Sequence, residues 1–205
     1  MSSRRDMFKA IIFDVGNVIM MHPERIYGSI TAKYAKTHRT FLKKTRHDFL
    51  LCQKGRISYM EYFRRAAKKF GISHQKMKKD VAAVHKAFDE HVTINEEVVG
   101  IIKRLNSYKL ACLTNTIPEH YNHHKKEQVY SLFKIAVISC KVGMAKPYKN
   151  IYRYTLKKLG VKAGEAVFID DNPDFVRTAK SLGMKTILFK DAAQLKRDLT
   201  KLKVI

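Results

Sequence analysis

The fold of this chain is decided by a short stretch near its start, residues 8–17, which read FKAIIFDVGN. The apolar run is broken by a single Lys and ends in an Asp-Val-Gly-Asn turn. A run of this length, closed by a glycine turn, is typical of a strand buried on both faces of a parallel sheet. Asp14 would then lie at the carboxyl end of the first strand.

Similar apolar runs recur late in the chain and alternate with helical patterns. Strands are predicted at Leu110–Leu113, Ile135–Ile138, Ala166–Ile169 and Thr186–Phe189, and helices at Glu96–Asn106, His120–Leu132, Asn150–Leu159, Pro173–Leu182 and Ala192–Lys201. Strands that alternate with helices indicate right-handed βαβ units. The fold class is therefore α/β, with a doubly wound, Rossmann-like parallel sheet.

The segment from about His22 to His91 differs from the rest of the chain because it has helical periodicity, for example at Ile26, Ile30 and Tyr34, and no convincing strand. Glycines at 55 and 71 would break its helices, and Ser58 and Ser73 are suitable N-caps. The pattern predicts about four helices inserted after the first strand. We therefore expect a core domain formed by residues 1–19 and 93–205, and a small helical domain formed by residues 20–92.

The formal net charge of the 205-residue chain is +23 and is spread along the sequence. Residues 22–92 contain 17 Lys and Arg against 6 Asp and Glu, and residues 93–205 contain 21 against 10, so each part carries +11. Such a surface attracts anionic substrates and polyanions. Nucleic acid is not favoured as a partner, because no known nucleic-acid module accompanies the charge.

Composition also bears on location. No apolar run is long enough to cross a bilayer, and the start of the chain lacks the apolar region of a secretory signal. The three cysteines (Cys52, Cys112 and Cys140) form no CxxC pair and no disulfide framework. Buried free thiols in a reducing cytoplasm are the expected arrangement, with no membrane partner.

Polar residues follow the predicted strands at the point where each strand ends. Asp14 ends the first strand, Thr114-Asn115-Thr116 the next, and Asp170-Asp171-Asn172 a later one, while Lys146 follows Ser139 and Gly143 in a loop. Ligands in open α/β sheets gather beyond the carboxyl ends of the strands. The edge would offer a nucleophile, phosphate-binding donors and, through two adjacent carboxylates whose repulsion a divalent cation offsets, a metal site.

These four ordered motifs resemble those of the haloacid dehalogenase-like hydrolase superfamily over nearly the whole chain. They are Phe13–Val18, Leu113–Thr116, Ser139–Pro147 and Phe168–Asn172. Residues 54–62 also resemble a cap segment of one branch of that superfamily. The branch includes the phosphatase domain of soluble epoxide hydrolase and bacterial sugar-1-phosphate phosphatases. In similar enzymes, a helical cap such as residues 20–92 closes over the site.

The resemblance implies a phosphoric monoester hydrolase that depends on Mg²⁺. Asp14 would attack phosphorus to form an aspartyl-phosphate, which water hydrolyses. Thr114 and the backbone amide of Asn115 would bind phosphoryl oxygens, and Lys146 would neutralise charge. The Asp14 carboxylate, the Gly16 carbonyl and the Asp171 carboxylate would hold the metal. Asp170, assigned to the same metal site, would orient a metal-bound water.

One position departs from the family pattern. Most phosphatases of the superfamily carry a second Asp, the general acid and base, two residues after the nucleophile, where this chain has Gly16. Two explanations stay open: a substrate whose leaving group departs with little protonation, or another donor such as His22. A haloacid dehalogenase would also lack the second Asp, but the Asp170-Asp171 pair argues against that activity.

The expected substrate is a small phosphorylated metabolite, with a sugar phosphate as one candidate. The alternatives are a phosphatase acting on nucleotides or nucleic-acid ends, a catalytically weak polyanion-binding protein, and, less favoured, a 2-haloacid dehalogenase. Arg56 is the candidate for anion steering. A metal site at His120, His123 and His124 lacks a fourth ligand at matching spacing, so a solvated helix face is the prediction there.

Overall fold

The computed structural model describes residues 7–22, 35 and 37–205, and its centre is a five-stranded parallel sheet. From one edge of the sheet to the other, the strands are β5 (Ile135–Ile138), β4 (Lys109–Thr114), β1 (Ala10–Phe13), β6 (Ala166–Asp170) and β7 (Lys185–Leu188). Every neighbouring pair in the sheet is parallel. The predicted α/β class and the parallel sheet are confirmed.

The helices that follow the inserted segment flank this sheet. They are α4 (Glu96–Lys103), α5 (Pro118–Lys126), α6 (Ser139–Val142), α7 (Lys149–Leu159), α8 (Pro173–Ser181) and α9 (Ala192–Lys201), with 3₁₀ turns at Val129–Leu132 and Ala163–Glu165. None of the described helices combines the length and the apolar character that a membrane span requires.

The central strand β1 is fully buried because helices cover both of its faces. Ile11 and Phe13 belong to the apolar cluster that includes α4 and α9, whereas Ile12 belongs to the cluster that includes α7 and α8. Alternate side chains of a strand point to opposite faces, so the unbroken apolar run serves both layers. Burial of each large side chain stabilises the fold by about 1.5–3 kcal/mol.

One predicted helix is wrong in extent. The pattern at His120–Leu132 suggested a single helix, but α5 ends at Lys126 and Gln128 adopts a left-handed backbone conformation with φ of +56°. The turn directs Val129 and Phe133 into the core, where the Phe133 ring lies 6.1 Å from that of Phe13. Core packing outweighs the helical pattern here.

The inserted segment between β1 and β4 contains three described helices, which are α1 (His38–Gln53), α2 (Tyr59–Phe70) and α3 (His74–His91). Ser58 and Ser73 cap α2 and α3 as predicted, each accepting a bond from the backbone amide three residues later. Gly71 ends α2 in the left-handed conformation, which glycine adopts without strain. The helices share an apolar cluster built around Phe41 and Phe63. The first of the four predicted helices, with Ile26, Ile30 and Tyr34, lies outside the described residues.

A two-stranded antiparallel ladder at the ends of this segment was not predicted. It pairs β2 (Met20–Met21) with β3 (Thr93–Ile94), and the backbone amide of Asn95 donates to the Ile19 carbonyl at 2.8 Å. The ladder thus places the start and the end of the inserted segment side by side. Two-residue strands are too short to show a period in the sequence.

We expect Asp48→Asn to lower the free energy of unfolding by about 2 kcal/mol at pH 7. The Asp48 carboxylate is 5% exposed and accepts bonds from Lys69 Nζ at 2.6 Å and Arg65 Nη1 at 3.3 Å. Although burial acts to raise it, the bonds from Lys69 and Arg65 hold the pKa of this carboxyl below its usual value.

A depressed pKa stabilises the fold above the unfolded value of about 3.9, and the contribution is lost as pH falls through the folded pKa. Urea unfolding at a series of pH values should therefore show wild type and Asp48→Asn converging below about pH 4. Glu61→Gln, which alters the more exposed partner of Arg65, is the control and should cost less. Equal stability of wild type and Asp48→Asn at pH 7 would contradict this account.

Candidate active site

The polar residues predicted at the strand ends meet at one edge of the sheet. Phe13 pairs in register with Cys112 of β4 and Ile169 of β6, so Asp14 lies level with the ends of both neighbouring strands. The backbone amide of Asp14 donates to the Ile169 carbonyl at 2.8 Å. Parallel strands that end in register bring their terminal side chains together.

Lys146 is the centre of this edge. Its Nζ lies 3.0 Å from Asp14 Oδ2 and 2.6 Å from Asp170 Oδ2, and the Lys146 and Asp170 side chains are fully buried. Burial acts to lower the pKa of Lys146, but the two carboxylates raise it overall, so the side chain stays an ammonium. Burial, with the charge of Asp14, raises the pKa of Asp170 above its ordinary value.

The backbone of Lys146 is held by the side chain of Asn115. Asn115 Nδ2 donates to the Lys146 carbonyl and the Lys146 amide donates to Asn115 Oδ1, both at 2.9 Å. The predicted role of Asn115 concerned its backbone amide; its side chain ties the β4 end to the lysine loop. This role was missed because the signal, an Asn directly after a strand, also occurs in ordinary turns.

A second pair of bonds fixes the same loop to β4. Ser139 Oγ donates to the Thr116 carbonyl at 3.1 Å and accepts from the Thr116 amide at 2.9 Å. Thr114, the last residue of β4, is buried close by. The role of its hydroxyl in binding a phosphoryl oxygen stays a prediction.

Asp14, Asp170 and Asp171 form an acidic cluster. One carboxylate oxygen from each lies within 4.8 Å of the others, the one grouping of metal-binding side chains of this kind in the described part of the chain. Three carboxylates and the Lys146 ammonium leave two net negative charges when all are ionised. Burial and the Asp14 charge raise the pKa of Asp171 accordingly. Clustered hard oxygens with excess negative charge fit a divalent cation.

Asp170 and Asp171 are not equivalent. Both oxygens of Asp170 already accept bonds, Oδ2 from Lys146 Nζ and Oδ1 from the Asn172 amide at 2.8 Å. Asp171 Oδ2 accepts a single longer bond of 3.4 Å from Asn17 Nδ2. Asp171 is thus the freer of the two for a metal ion, and Asp170 is occupied in holding the lysine.

The loop after Asp14 includes a residue that the sequence reasoning did not single out. Asn17 has φ of +54°, a left-handed conformation that Asn tolerates better than most residues. Its side chain reaches Asp171, and its amide donates to the Met20 carbonyl at 2.8 Å. The turn thereby fixes the backbone around Gly16. A DxGN sequence is compatible with such a turn but does not specify it.

The predicted solvated face at His120, His123 and His124 is wrong. His124 is 1% exposed, and the His120 ring stacks on Phe88 of α3 with centroids 3.7 Å apart. The histidines are covered because α3 packs on α5, which a local pattern cannot reveal. Their ligand atoms form no metal-binding group in the described structure.

Arg56 lies at the turn between α1 and α2 and faces the lysine loop. Its Nη2 is 3.2 Å from the place where a Cβ on Gly143 would sit. A Cβ added to Gly55 would lie 2.4 Å from the Cys140 carbonyl oxygen, so this turn packs closely against the loop. The role of Arg56 in steering anions stays a prediction.

The family model described as haloacid dehalogenase-like hydrolase matches residues 8–183. The chain belongs to this hydrolase family. Its strand-end motifs, whose geometry is given above, all lie within the matched range.

Relatives within the family extend this finding. Bifunctional epoxide hydrolase 2 of Rattus norvegicus is 42% identical over 69 residues, which are 34% of this chain and 12% of the rat protein, so the match spans about an eighth of that relative. A sesquiterpene phosphatase of Aspergillus oryzae is 24% identical over 188 residues, 90% of this chain and 91% of the fungal protein.

A solved structure agrees in fold. A family enzyme of Bacteroides thetaiotaomicron, in complex with magnesium and inorganic phosphate, aligns with a TM-score of 0.67 at 21% identity and covers 90% of this chain and 95% of that one. At this identity the likeness concerns the fold.

We expect Lys146→Met to lower the free energy of unfolding by about 3 kcal/mol in EDTA at pH 7, because it leaves Asp14 and Asp170 buried without their cation. The double variant Lys146→Met/Asp170→Asn removes one of the stranded charges and should recover part of this loss. Urea unfolding measures both. If Lys146→Met were as stable as wild type, the lysine would not be the cation that balances the charges of Asp14 and Asp170.

Proposed function

We propose that this enzyme is a Mg²⁺-dependent phosphatase that hydrolyses a small phosphate monoester through an aspartyl-phosphate at Asp14. The observation that carries the proposal is the Asp14 carboxylate, oriented by a buried ammonium and placed beside the carboxylates of Asp170 and Asp171. An oriented anionic nucleophile next to a hard-cation site suits attack on phosphorus.

Asp14 is prepared for attack by Lys146. The ammonium holds Asp14 Oδ2 at 3.0 Å and offsets the repulsion between the carboxylate and an approaching phosphate anion. An Asp14 oxygen forms a bond to phosphorus while the bond from phosphorus to the leaving oxygen breaks. Water then attacks the phosphorus of the aspartyl-phosphate and releases phosphate. The Thr114 hydroxyl and the Asn115 backbone amide bind the phosphoryl oxygens, and each such donor lowers the barrier by about 3 kcal/mol.

Mg²⁺ would be held by the carboxylates of Asp14 and Asp171 and by the backbone carbonyl of Gly16. Asp170 would act on this site indirectly, because it holds Lys146. When bound, the ion neutralises charge on the phosphoryl oxygens. The hard oxygen donors and the excess negative charge of the cluster support this assignment. The likeness in fold to a relative solved with magnesium and phosphate is consistent with it.

The helices of residues 20–92 would form a cap domain over the core domain of residues 1–19 and 93–205. Two contacts support this division: the Gly55 turn packs on Cys140, and Phe88 of α3 stacks on His120 of α5. Both contacts lie beyond the carboxyl edge of the sheet. A cap in this position excludes water from the site and selects the substrate.

The substrate would be a small phosphate monoester, with a sugar phosphate as one candidate. The phosphatase relative that matches most of this chain supports phosphate chemistry, and the net charge of +23 favours anionic substrates. The three-carboxylate cluster distinguishes the proposal from dehalogenation, for which the acidic pair of Asp170 and Asp171 has no use.

We expect Asp14→Asn to reduce hydrolysis of p-nitrophenyl phosphate by at least about a thousandfold, because the amide is a poor nucleophile. EDTA should abolish wild-type activity and Mg²⁺ should restore it, while Asp171→Asn should raise the Mg²⁺ concentration needed for half-maximal activity. Asp191→Asn is the matched control, since Asp191 is an exposed helix cap that Asn can replace. An active Asp14→Asn variant would refute the mechanism.

A further inference from the structure

The space that a side chain at position 16 would occupy is filled by His22. From the place where a Cβ on Gly16 would sit, His22 Cε1 is 3.2 Å away, Nδ1 3.7 Å and Nε2 3.8 Å. Residue 16 is two residues beyond the Asp14 nucleophile. The imidazole of His22 therefore lies where a larger side chain at position 16 would begin.

Rings hold the imidazole of His22 on several sides. Its centroid is 5.4 Å from that of Phe88, 6.1 Å from that of His120 and 5.8 Å from that of His124. These rings fix the orientation of His22 through packing. The backbone of His22 is fixed as well, because its amide donates to Asn17 Oδ1 at 3.3 Å.

One nitrogen atom of this ring is left without a partner. Nε2 is buried and has no hydrogen-bond partner in the described part of the chain. A buried polar atom without a partner destabilises the fold, so such atoms in native proteins commonly serve a ligand. Nε2 of His22 lies beside the loop that follows Asp14, so the substrate is its candidate ligand.

The chemistry of the ring defines what His22 can offer. An imidazole carries at least one N–H in both its neutral and its protonated form. His22 can therefore donate a hydrogen bond to an oxygen.

We propose that the imidazole of His22 donates a hydrogen bond to the leaving-group oxygen, in the place where Gly16 supplies no acid. The inference rests on the phosphatase function proposed above. As the Asp14 oxygen bonds to phosphorus, the electron pair of the breaking bond moves to the leaving oxygen. The His22 N–H stabilises this charge, and a water molecule then gives the oxygen its proton.

The role defines a substrate class. A hydrogen bond stabilises developing charge less than full proton transfer does, so the enzyme should favour esters whose leaving oxygen is already stabilised. Sugar-1-phosphates and aryl phosphates belong to this class, whereas phosphates of simple primary alcohols do not.

The test compares kcat/KM across phosphate monoesters of graded leaving-group pKa, at saturating Mg²⁺. His22→Phe keeps a ring in the cluster and removes the N–H. We expect it to lose about a hundredfold on alkyl phosphates and little on p-nitrophenyl phosphate, so that the leaving-group dependence becomes steeper. His22→Gln keeps a donor and should retain most of the wild-type dependence.

His124→Phe is the matched control, because His124 stacks on His22 while its Nδ1 lies 3.1 Å from the Tyr130 hydroxyl. Its leaving-group dependence should equal that of wild type. The double variant Gly16→Asp/His22→Ala, which exchanges the imidazole for a carboxyl group, should recover activity on alkyl phosphates relative to His22→Ala.

An unchanged dependence in His22→Phe, or the same change in His124→Phe, would overturn the inference and leave the cluster a packing feature. A wild-type enzyme without activity on any of the esters would instead refute the proposed function itself, so the two failures are distinguishable.

Discussion

The ammonium of Lys146, buried between Asp14 and Asp170, is the interaction on which the site depends. A buried charge costs several kcal/mol unless it is paired, so both carboxylates must stay in place. The bonds from Asn115 to the Lys146 backbone extend this requirement to β4. The ends of three strands are thereby fixed relative to one another, and Asp14 is held with one oxygen against a cation.

Much of this edge could be predicted from the sequence because parallel strands in register end at one place. Asp14, Thr114 and Asp170 each follow or end an apolar run, and the sheet topology alone brings them together. The division of work between Asp170 and Asp171 could not be predicted, since it depends on which oxygens Lys146 and Asn172 occupy. Hydrogen bonds between segments far apart in sequence leave no periodic signal.

Gly16 shows a second limit to what could be predicted from the sequence. Its residue type indicated a missing acid, and the structure shows that the space belongs to His22. The burial of that ring depends on Phe88, a residue of α3 that lies far along the chain. The same helix covers His124, which a local pattern assigned to a solvated face. Packing between the inserted helices and the core therefore determines which groups lie beside Asp14.

The central claim is that Asp14 carries the phosphoryl group during turnover. Its most direct test is to quench the enzyme in acid during hydrolysis of an aryl phosphate, reduce the protein with borohydride and map its peptides by mass spectrometry. An aspartyl-phosphate would be reduced to homoserine, and the account predicts homoserine at position 14 in samples quenched with substrate and none in samples without it. Homoserine at another position, or an unmodified Asp14 in an enzyme that is turning over, would contradict it.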